Sequence, residues 1–239
     1  MTYGNFKEGN SKLYWVKENL LANDFPDVHQ ALRDPDGLLA IGGDLSSDRL
    51  LQAYRSGIFP WFNEGQPILW WSPDPRCVLE PADINVSRSL AKRIRKKEYD
   101  ITYNQAFDEV IKGCAASRKG VNETWITGDI KEAYLNLHYR GYAHSVECWY
   151  EGKVVGGLYG IAIGKVFFGE SMFSHRTDAS KVALVHLART LEQKQFRMID
   201  CQVHSRHLQF MGARPIKREL FIGLLETYCS DEKTTDWEY

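Results

Sequence analysis

Three polar side chains near the C-terminus have the types and spacing of a reaction centre. Residues 199–203 predict a β-strand in which a period of two places Asp200 and Gln202 on one face and Cys201 on the other. A buried polar group without a partner costs roughly 1 to 3 kcal/mol, so the acid and the amide either satisfy one another or face a cleft. A further carboxylate, Glu170, lies in the block 169–174 that ends the predicted meander, where a sheet edge can open into a pocket. This convergence favours a centre in which Glu170, Asp200 and Gln202 orient substrates and move protons.

A second group of residues, Cys201, His204 and His207, has a spacing that superficially fits a metal site or a Cys-His hydrolase. A tetrahedral zinc needs a fourth ligand, and the sequence offers no clear one. Cys201 is therefore interpreted as a small buried apolar residue and the two histidines as loop residues, and we expect no metal. The glycines of residues 156–160 lack the order of a dinucleotide-binding loop and lie within a β pattern, so no nucleotide triphosphate site is predicted.

Tryptophans are concentrated upstream, where Trp61, Trp70 and Trp71 fall within eleven positions among prolines 60, 67, 73 and 75. The prolines exclude a regular helix and stiffen the backbone, so the indoles could form a surface on which a base stacks with little loss of entropy. The alternative is a buried aromatic plug, which is the common fate of such clusters. Both interpretations remain open from these residues alone.

Residues 88–97 carry a run of cations interleaved with Leu90, Ala91 and Ile94 at helical spacing. The six cations are Arg88, Lys92, Arg93, Arg95, Lys96 and Lys97. Such a run is ordinarily a solvated helix face, but cations without an acid between them repel one another unless phosphates neutralise them. The pattern therefore predicts a helix with one packed face and one cationic face.

Composition limits the possible classes of protein. The 239 residues are 44% hydrophobic, enough for a substantial core, and the formal net charge of -1 means that any polyanion must be bound by a local patch. The five cysteines include no Cys-x-x-Cys pair, which fits reduced thiols, and no eighteen apolar residues run together. These features argue against secretion and membrane spanning and favour the cytoplasm. Residues 231–239 are expected to be a disordered tail.

The elements that must position these residues follow from periodicity. Strands are predicted at 144–150, 154–163, 165–173 and 197–203, the first three forming an antiparallel meander. Helices are predicted after Ser46 and ending at Gly57, from Thr127 or Asp129 to Gly141, from about 178, and over 218–228. The resulting fold class is α/β (α+β), with residues 1–99 as an N-terminal domain containing the tryptophan loop and basic helix, and 100–230 as the catalytic domain.

Several blocks of this sequence, in this order, resemble the leucyl/phenylalanyl-tRNA protein transferase family. They are residues 37–44, 57–62, 69–76, 124–127, 155–160, 169–174 and 199–203. The resemblance spans most of the chain, although residues 207–213 and those before Phe25 follow the family only loosely. It implies a small N-terminal domain joined to an acetyltransferase-like (GNAT-like) domain with a mixed, largely antiparallel sheet.

The resemblance also implies residue roles. Trp61 and Trp125 would hold the terminal adenosine of tRNA, and the apolar residues Leu158, Met172 and Phe167 would line the pocket for the amino-acid side chain. Glu170, Asp200 and Gln202 would form the reaction centre. The basic residues Arg88, Lys92, Arg93, Arg95, Lys96 and Lys97 would meet the backbone of the acceptor stem.

The implied reaction moves Leu or Phe, and Met less well, from aminoacyl-tRNA to the N-terminal Arg or Lys of an acceptor protein, marking it for degradation. No cofactor is required, and a monomer is expected. Two other classes stay open: an RNA-binding protein without catalysis would explain the tryptophans and cations but not the carboxylates, and a small-molecule acetyltransferase would need a pyrophosphate-binding glycine loop that the sequence lacks.

Overall fold

The computed structural model describes residues 13–18, 25–116 and 125–229. The predicted tail at 231–239 and the residue Thr124 lie outside the described residues. Over the described residues, no helix has the length and apolar character that crossing a membrane would require.

A small four-stranded sheet forms the N-terminal part of the fold, with strand order β1-β2-β4-β3. Its strands are β1 (Tyr14–Val16), β2 (Leu38–Gly42), β3 (Phe59–Pro60) and β4 (Leu69–Trp71). The β1–β2 pair is parallel and the others are antiparallel. Trp70 is fully buried in this region, and its Nε1 donates to the carbonyl oxygen of Gly42 at 2.8 Å. Trp70 is therefore the core plug that one interpretation of the tryptophan cluster proposed.

The larger sheet has seven strands in the order β11-β5-β10-β9-β8-β7-β6. The strands are β5 (Arg76–Leu79), β6 (Asp100–Tyr103), β7 (Ala143–Tyr150), β8 (Lys153–Ile163), β9 (Val166–Ser174), β10 (Met198–Gln202) and β11 (Arg214–Ile216). Only the β9–β10 pair is parallel. The predicted meander, and the α/β class with a mixed, largely antiparallel sheet, are confirmed.

Helices cover both faces of the larger sheet. They are α1 (Ser47–Arg55), α2 (Arg88–Arg95), α3 (Phe107–Ala115), α4 (Gly128–Tyr139), α5 (Ala179–Gln193), α6 (Arg206–Phe210) and α7 (Arg218–Tyr228), with short 3-10 helices at Val28–Gln30 and Pro81–Asp83. Residues of α1, α3, α4 and α7 share one buried core with the small sheet, and residues of α2 and α5 form the core of the opposite face. Strand β8 alternates between the two cores, as a period of two requires: Tyr159 and Ile161 face α4, and Leu158 and Ala162 face α5.

The division of the chain at residues 99 and 100 stays a prediction. Strand β5 lies on the N-terminal side of that division, yet it pairs with both β10 and β11. Tyr54 of α1 and Tyr134 of α4 lie in the same buried core. The two predicted parts therefore share a sheet and a core.

The larger sheet opens between β9 and β10. The last paired residues are Phe168 and Asp200, and β9 then continues to Ser174 without this neighbour. On the other side of β10, the register with β5 shifts between Asp200 and Gln202, and Gln202 has a φ of 61°. This bulge re-aims the end of the strand and places the predicted reaction centre at the opening.

Candidate functional site

Glu170 is the residue on which the polar groups at the opening converge. Its Oε1 accepts hydrogen bonds from the Tyr54 hydroxyl at 2.7 Å and from Gln202 Nε2 at 2.9 Å. Its Oε2 accepts from the Tyr134 hydroxyl at 2.7 Å, and the two tyrosine hydroxyls also contact each other. Three donors from α1, α4 and β10 therefore hold one carboxylate just beyond the last β9–β10 pair.

The environment of this carboxylate changes its acidity. Burial raises the pKa of Glu170 to about 7, and the nearby charge of Asp200 acts in the same direction, whereas the hydrogen bonds from Tyr134, Tyr54 and Gln202 oppose the rise. Burial and the charge of Glu170 raise the pKa of both tyrosines well above 10. Tyr54 and Tyr134 therefore remain donors at neutral pH, while Glu170 exchanges a proton near pH 7, as an acid-base group requires.

Asp200 occupies a different environment from Glu170. Arg76 Nε donates to its Oδ1 at 2.8 Å and Arg76 Nη2 to its Oδ2 at 2.7 Å, with both residues fully buried. The remaining nitrogen of Arg76, Nη1, donates to the carbonyl oxygen of Gly57 at 3.0 Å, and the guanidinium lies against the rings of Phe59 and Phe221. Gly57 has a φ of 74°, a conformation that favours glycine, and this turn directs its carbonyl toward the arginine.

Gln202 is connected to both carboxylates. Its backbone nitrogen donates to Asp200 Oδ1 at 2.9 Å, while its side chain reaches Glu170. Asp200 and Gln202 thus lie on the face of the sheet that carries α1 and α7, and Cys201 packs with the core of the opposite face. The predicted sidedness is confirmed, but the Asp200 carboxylate bonds the backbone nitrogen of Gln202 and not its side-chain amide.

Sequence reasoning missed three members of this centre. Tyr54 and Tyr134 do not stand out in the sequence, because an apolar period does not reveal which phenol carries a buried hydroxyl. Arg76 enters the sequence analysis only as the last residue of the block 69–76. A buried arginine needs a carboxylate partner, but its partner lies 124 residues away along the chain.

The tryptophans have distinct environments. Trp61 is 45% exposed and lies against Trp71, with ring centroids 5.7 Å apart. The Nε1 of Trp71 donates to the Trp61 carbonyl oxygen at 2.7 Å, which fixes the backbone below the exposed indole. Trp125 is half-buried against the core, ahead of Thr127, whose hydroxyl caps α4 by accepting from the nitrogen of Ile130. An available stacking face therefore exists at Trp61, beside the buried plug at Trp70.

The predicted pocket residues lie on the α5 side of the sheet. Leu158 and Met172 are direct cross-strand neighbours, and Phe167 pairs with Ile199. Leu158 and Phe167 are buried, and Met172 is half-buried. Because Glu170 and its partners lie toward the opposite face, the gap between β9 and β10 is the place where an apolar group on one side could meet the carboxylate on the other.

The basic helix is shorter than its run of cations. It spans Arg88–Arg95, with the hydroxyl of Ser87 accepting from the nitrogen of Leu90 at 3.3 Å, so Lys96 and Lys97 follow its end. Arg93 differs from the other cations because its Nη1 pairs with Glu98 and its Nε lies 3.6 Å from Asp178. Glu98, immediately after the run, and Asp178 thus give Arg93 counterions, and the contact of these cations with an RNA backbone stays a prediction.

The contacts of Cys201 and His204 are those of residues that pack in the fold. Its thiol contacts that of Cys77 on β5, and His204 Nε2 lies 3.2 Å from Gln209 Oε1. All five cysteines are free thiols. Within residues 13–18, 25–116 and 125–229, no group of three or more His, Cys, Asp or Glu side chains is arranged to hold a metal ion.

The fold and the site define an α/β protein whose mixed sheet opens at a carboxylate held by two phenols and an amide, the kind of polar centre typical of enzymes. The family model described as leucyl/phenylalanyl-tRNA protein transferase matches residues 78–226, and the model for the N-terminal domain of the same family matches residues 43–74. The chain belongs to the leucyl/phenylalanyl-tRNA protein transferase family.

Similar curated proteins carry the same family name. A leucyl/phenylalanyl-tRNA--protein transferase from Pseudomonas syringae pv. syringae is 54% identical over 94% of this chain and 97% of that protein. Those from Chromohalobacter salexigens and Thiobacillus denitrificans are 58% and 59% identical, over 91% and 85% of this chain and 84% and 90% of theirs.

Solved structures similar to this chain are more distant. A GCN5-related N-acetyltransferase from Kribbella flavida is 11% identical, with a TM-score of 0.37 over 69% of this chain and 58% of that one. The structure of L-PGS from Bacillus licheniformis is 9% identical, with a TM-score of 0.38 over 70% of this chain and 54% of that one.

Proposed function

We propose that this protein transfers Leu or Phe, and Met less well, from aminoacyl-tRNA to the N-terminal Arg or Lys of acceptor proteins. Membership of the family supports transfer from aminoacyl-tRNA to protein. The observation that carries the proposal is the Glu170 carboxylate, which receives hydrogen bonds from Gln202, Tyr54 and Tyr134 where the sheet opens. The proposal includes three further expectations from the family resemblance: the modified acceptor is marked for degradation, the reaction takes place in the cytoplasm, and the protein acts as a monomer.

The proposed step is aminolysis of an ester. The α-amino nitrogen of the acceptor forms a bond to the acyl carbon, the bond between that carbon and the ribose oxygen breaks, and the amine's proton passes to the ribose oxygen. An α-amino group with a pKa of about 7.7 to 8.0 is partly neutral at cytosolic pH. Because the ester is already activated, positioning of the amine supplies much of the acceleration.

The three polar residues take separate roles in this step. Glu170, with a pKa of about 7, exchanges a proton with the amine and attracts the cationic side chain of the acceptor. Gln202 donates a hydrogen bond from Nε2 to Glu170. The side-chain oxygen of Gln202 then accepts a hydrogen bond from the amine. Asp200 acts through Gln202, because both of its oxygens bind Arg76 in the interior. In this proposal Asp200 orients Gln202 and does not itself contact the incoming amine.

Binding of the aminoacyl end is divided between stacking and shape. The exposed ring of Trp61, with Trp125, takes the terminal adenosine, and base stacking of this kind contributes roughly 1 to 3 kcal/mol. The side chain of the amino acid enters the gap toward Met172, with Leu158 and Phe167 behind it. A pocket that selects by shape discriminates a methylene by about 1 to 3 kcal/mol, which accounts for weaker use of Met.

The direct test is incubation of the protein with radiolabelled Leu-tRNA and an acceptor that begins with Arg. N-terminal label is expected on this acceptor, and none on a matched acceptor whose α-amino group is acetylated. A folded protein that produces no label overturns the proposal.

The second candidate is an RNA-binding protein without catalysis, which the exposed Trp61 and the cations of α2 favour. The variant Gln202→Ala separates the two functions. A transferase keeps its affinity for tRNA and loses label, whereas for a binding protein neither unaltered chain nor variant transfers the amino acid.

A further inference from the structure

A cleft of about 480 Å³ lies between α2 and α5, away from the Glu170 centre. It is lined by Arg88, Ala91, Ile94 and Arg95 from α2 and by Arg189 from α5. On α2 the lining residues recur at helical spacing, so they form one face of that helix. The sequence singled out the cations of α2, but not Arg189.

Three of the residues that line this cleft are arginines, and none of them has an ion-pair partner among the described residues. Among the ion pairs of the described residues, none involves Arg88, Arg95 or Arg189. Two acids close to α2, Glu98 and Asp178, pair with Arg93. The charge of Arg189 also acts on His186 of the same helix: burial lowers the pKa of His186, and the nearby Arg189 lowers it further. Like charges held together on two packed helices repel, and a bound anion would relieve that repulsion.

The shape of the cleft indicates the kind of anion. Ala91 and Ile94, both half-buried, line the cleft together with the three arginines, which are exposed and so accessible to a large anion. Guanidinium groups are planar forks that match two phosphate oxygens at once. Because the arginines come from two helices, they can approach one phosphate group from different sides.

We propose that the cleft between α2 and α5 holds a phosphodiester group of the tRNA backbone and that Arg189 binds this phosphate together with the arginines of α2. The proposal rests on the proposed use of aminoacyl-tRNA. It extends the RNA surface from a single helix to a two-helix cleft.

The test is the variant Arg189→Ala, with the dissociation constant for tRNA measured over a series of KCl concentrations. Loss of one of the cations that hold this phosphate weakens binding up to about five- to tenfold near 0.1 M salt and reduces the slope of log K against log salt by up to about 0.7 to 0.9. Arg189→Lys, which keeps the charge, should keep most of the slope.

The matched control is Arg197→Ala, which removes an exposed arginine that lines no part of the cleft. If Arg189→Ala and Arg197→Ala give the same salt slope while the unaltered protein binds tRNA and transfers Leu, the cleft is not a phosphate site and the proposed function stands. If the unaltered protein does not bind tRNA at all, the proposed function itself fails. In the double variant of Arg95 and Arg189 to Ala, a loss smaller than the sum of the single losses supports a shared phosphate, and an additive loss contradicts it.

Discussion

Arg76 and Asp200 form a two-point ion pair in which both side chains are fully buried. The pair joins the start of β5 to the end of β10, and the same carboxylate accepts the backbone nitrogen of Gln202. The residue that contacts Glu170 is therefore held in place by a charge pair that substrate does not reach. This arrangement gives Asp200 a positioning role in the proposed reaction.

Breaking this pair from one side should be costly. Arg76→Met leaves a buried carboxylate without its partner, and we expect a loss of about 3 to 5 kcal/mol in the free energy of unfolding. The double variant Arg76→Met with Asp200→Leu should recover much of that loss, because neither charge remains. Urea denaturation of the two variants measures the difference. If the single and the double variant lose the same free energy of unfolding, the unpaired charge is not the cause of the loss.

The raised pKa of Glu170 makes stability depend on pH. In the unfolded chain this carboxyl group ionises near its ordinary value of 4.5, and in the folded chain near 7. Between these values the folded state binds more protons, so the contribution of Glu170 is fully present below about pH 4.5 and is lost as the pH rises through about 7. The variant Glu170→Gln should lack this dependence. Between pH 5 and pH 8 the urea midpoint should fall further in the unaltered protein than in the variant. Equal falls in the two proteins would contradict the raised pKa.

The same group should shape the pH profile of transfer. If Glu170 must be ionised to take a proton from the amine, kcat/KM rises with pH through about 7, together with the rise due to the amine itself near about 7.7 to 8.0. Glu170→Gln should lower the rate and leave only the rise due to the amine. If Glu170→Gln keeps the rise of kcat/KM through about pH 7, another group causes that rise.

The parts of this site that the sequence predicts are those set by local patterns. A period of two predicts the shared side of Asp200 and Gln202, and glycine and β-branched patterns predict β7, β8 and β9. The partner of Asp200 could not be predicted, because pairing between Arg76 and Asp200 depends on how β5 joins a sheet 124 residues away. Short strands such as β5 and β11 carry too few residues for a period, and they form through long-range pairing.

Some aromatic side chains were open to two interpretations for a similar reason. Trp61 and Trp70 occur in one stretch, among the same prolines and aromatic residues, yet Trp61 is 45% exposed and Trp70 is fully buried. Their difference arises from the register of β3 and β4 in the small sheet, where Phe59 pairs with Trp71 and Pro60 with Trp70. Trp61 follows the last paired residue of β3.

This difference between the two indoles gives a matched pair of variants. Trp61→Ala should raise the KM for aminoacyl-tRNA by roughly 5- to 150-fold through lost stacking, with little change in the free energy of unfolding. Trp70→Ala should instead destabilise the fold by about 3 to 5 kcal/mol. Steady-state kinetics and thermal unfolding of both variants separate the roles. An unchanged KM in Trp61→Ala would remove the exposed indole from the tRNA site.

Met172 provides the sharpest test of the amino-acid pocket, because it is half-buried while its cross-strand neighbour Leu158 and the nearby Phe167 lie in the core. Met172→Ala enlarges the pocket at the gap between β9 and β10 and should favour Phe over Leu by roughly tenfold, the scale of a small change in an apolar pocket. Competition between Leu-tRNA and Phe-tRNA gives the ratio of the two kcat/KM values directly. The control is Val203→Ala, which shortens an exposed apolar side chain just beyond β10 and should leave the ratio unchanged. If Met172→Ala also leaves the ratio unchanged, the amino-acid side chain does not bind beside Met172.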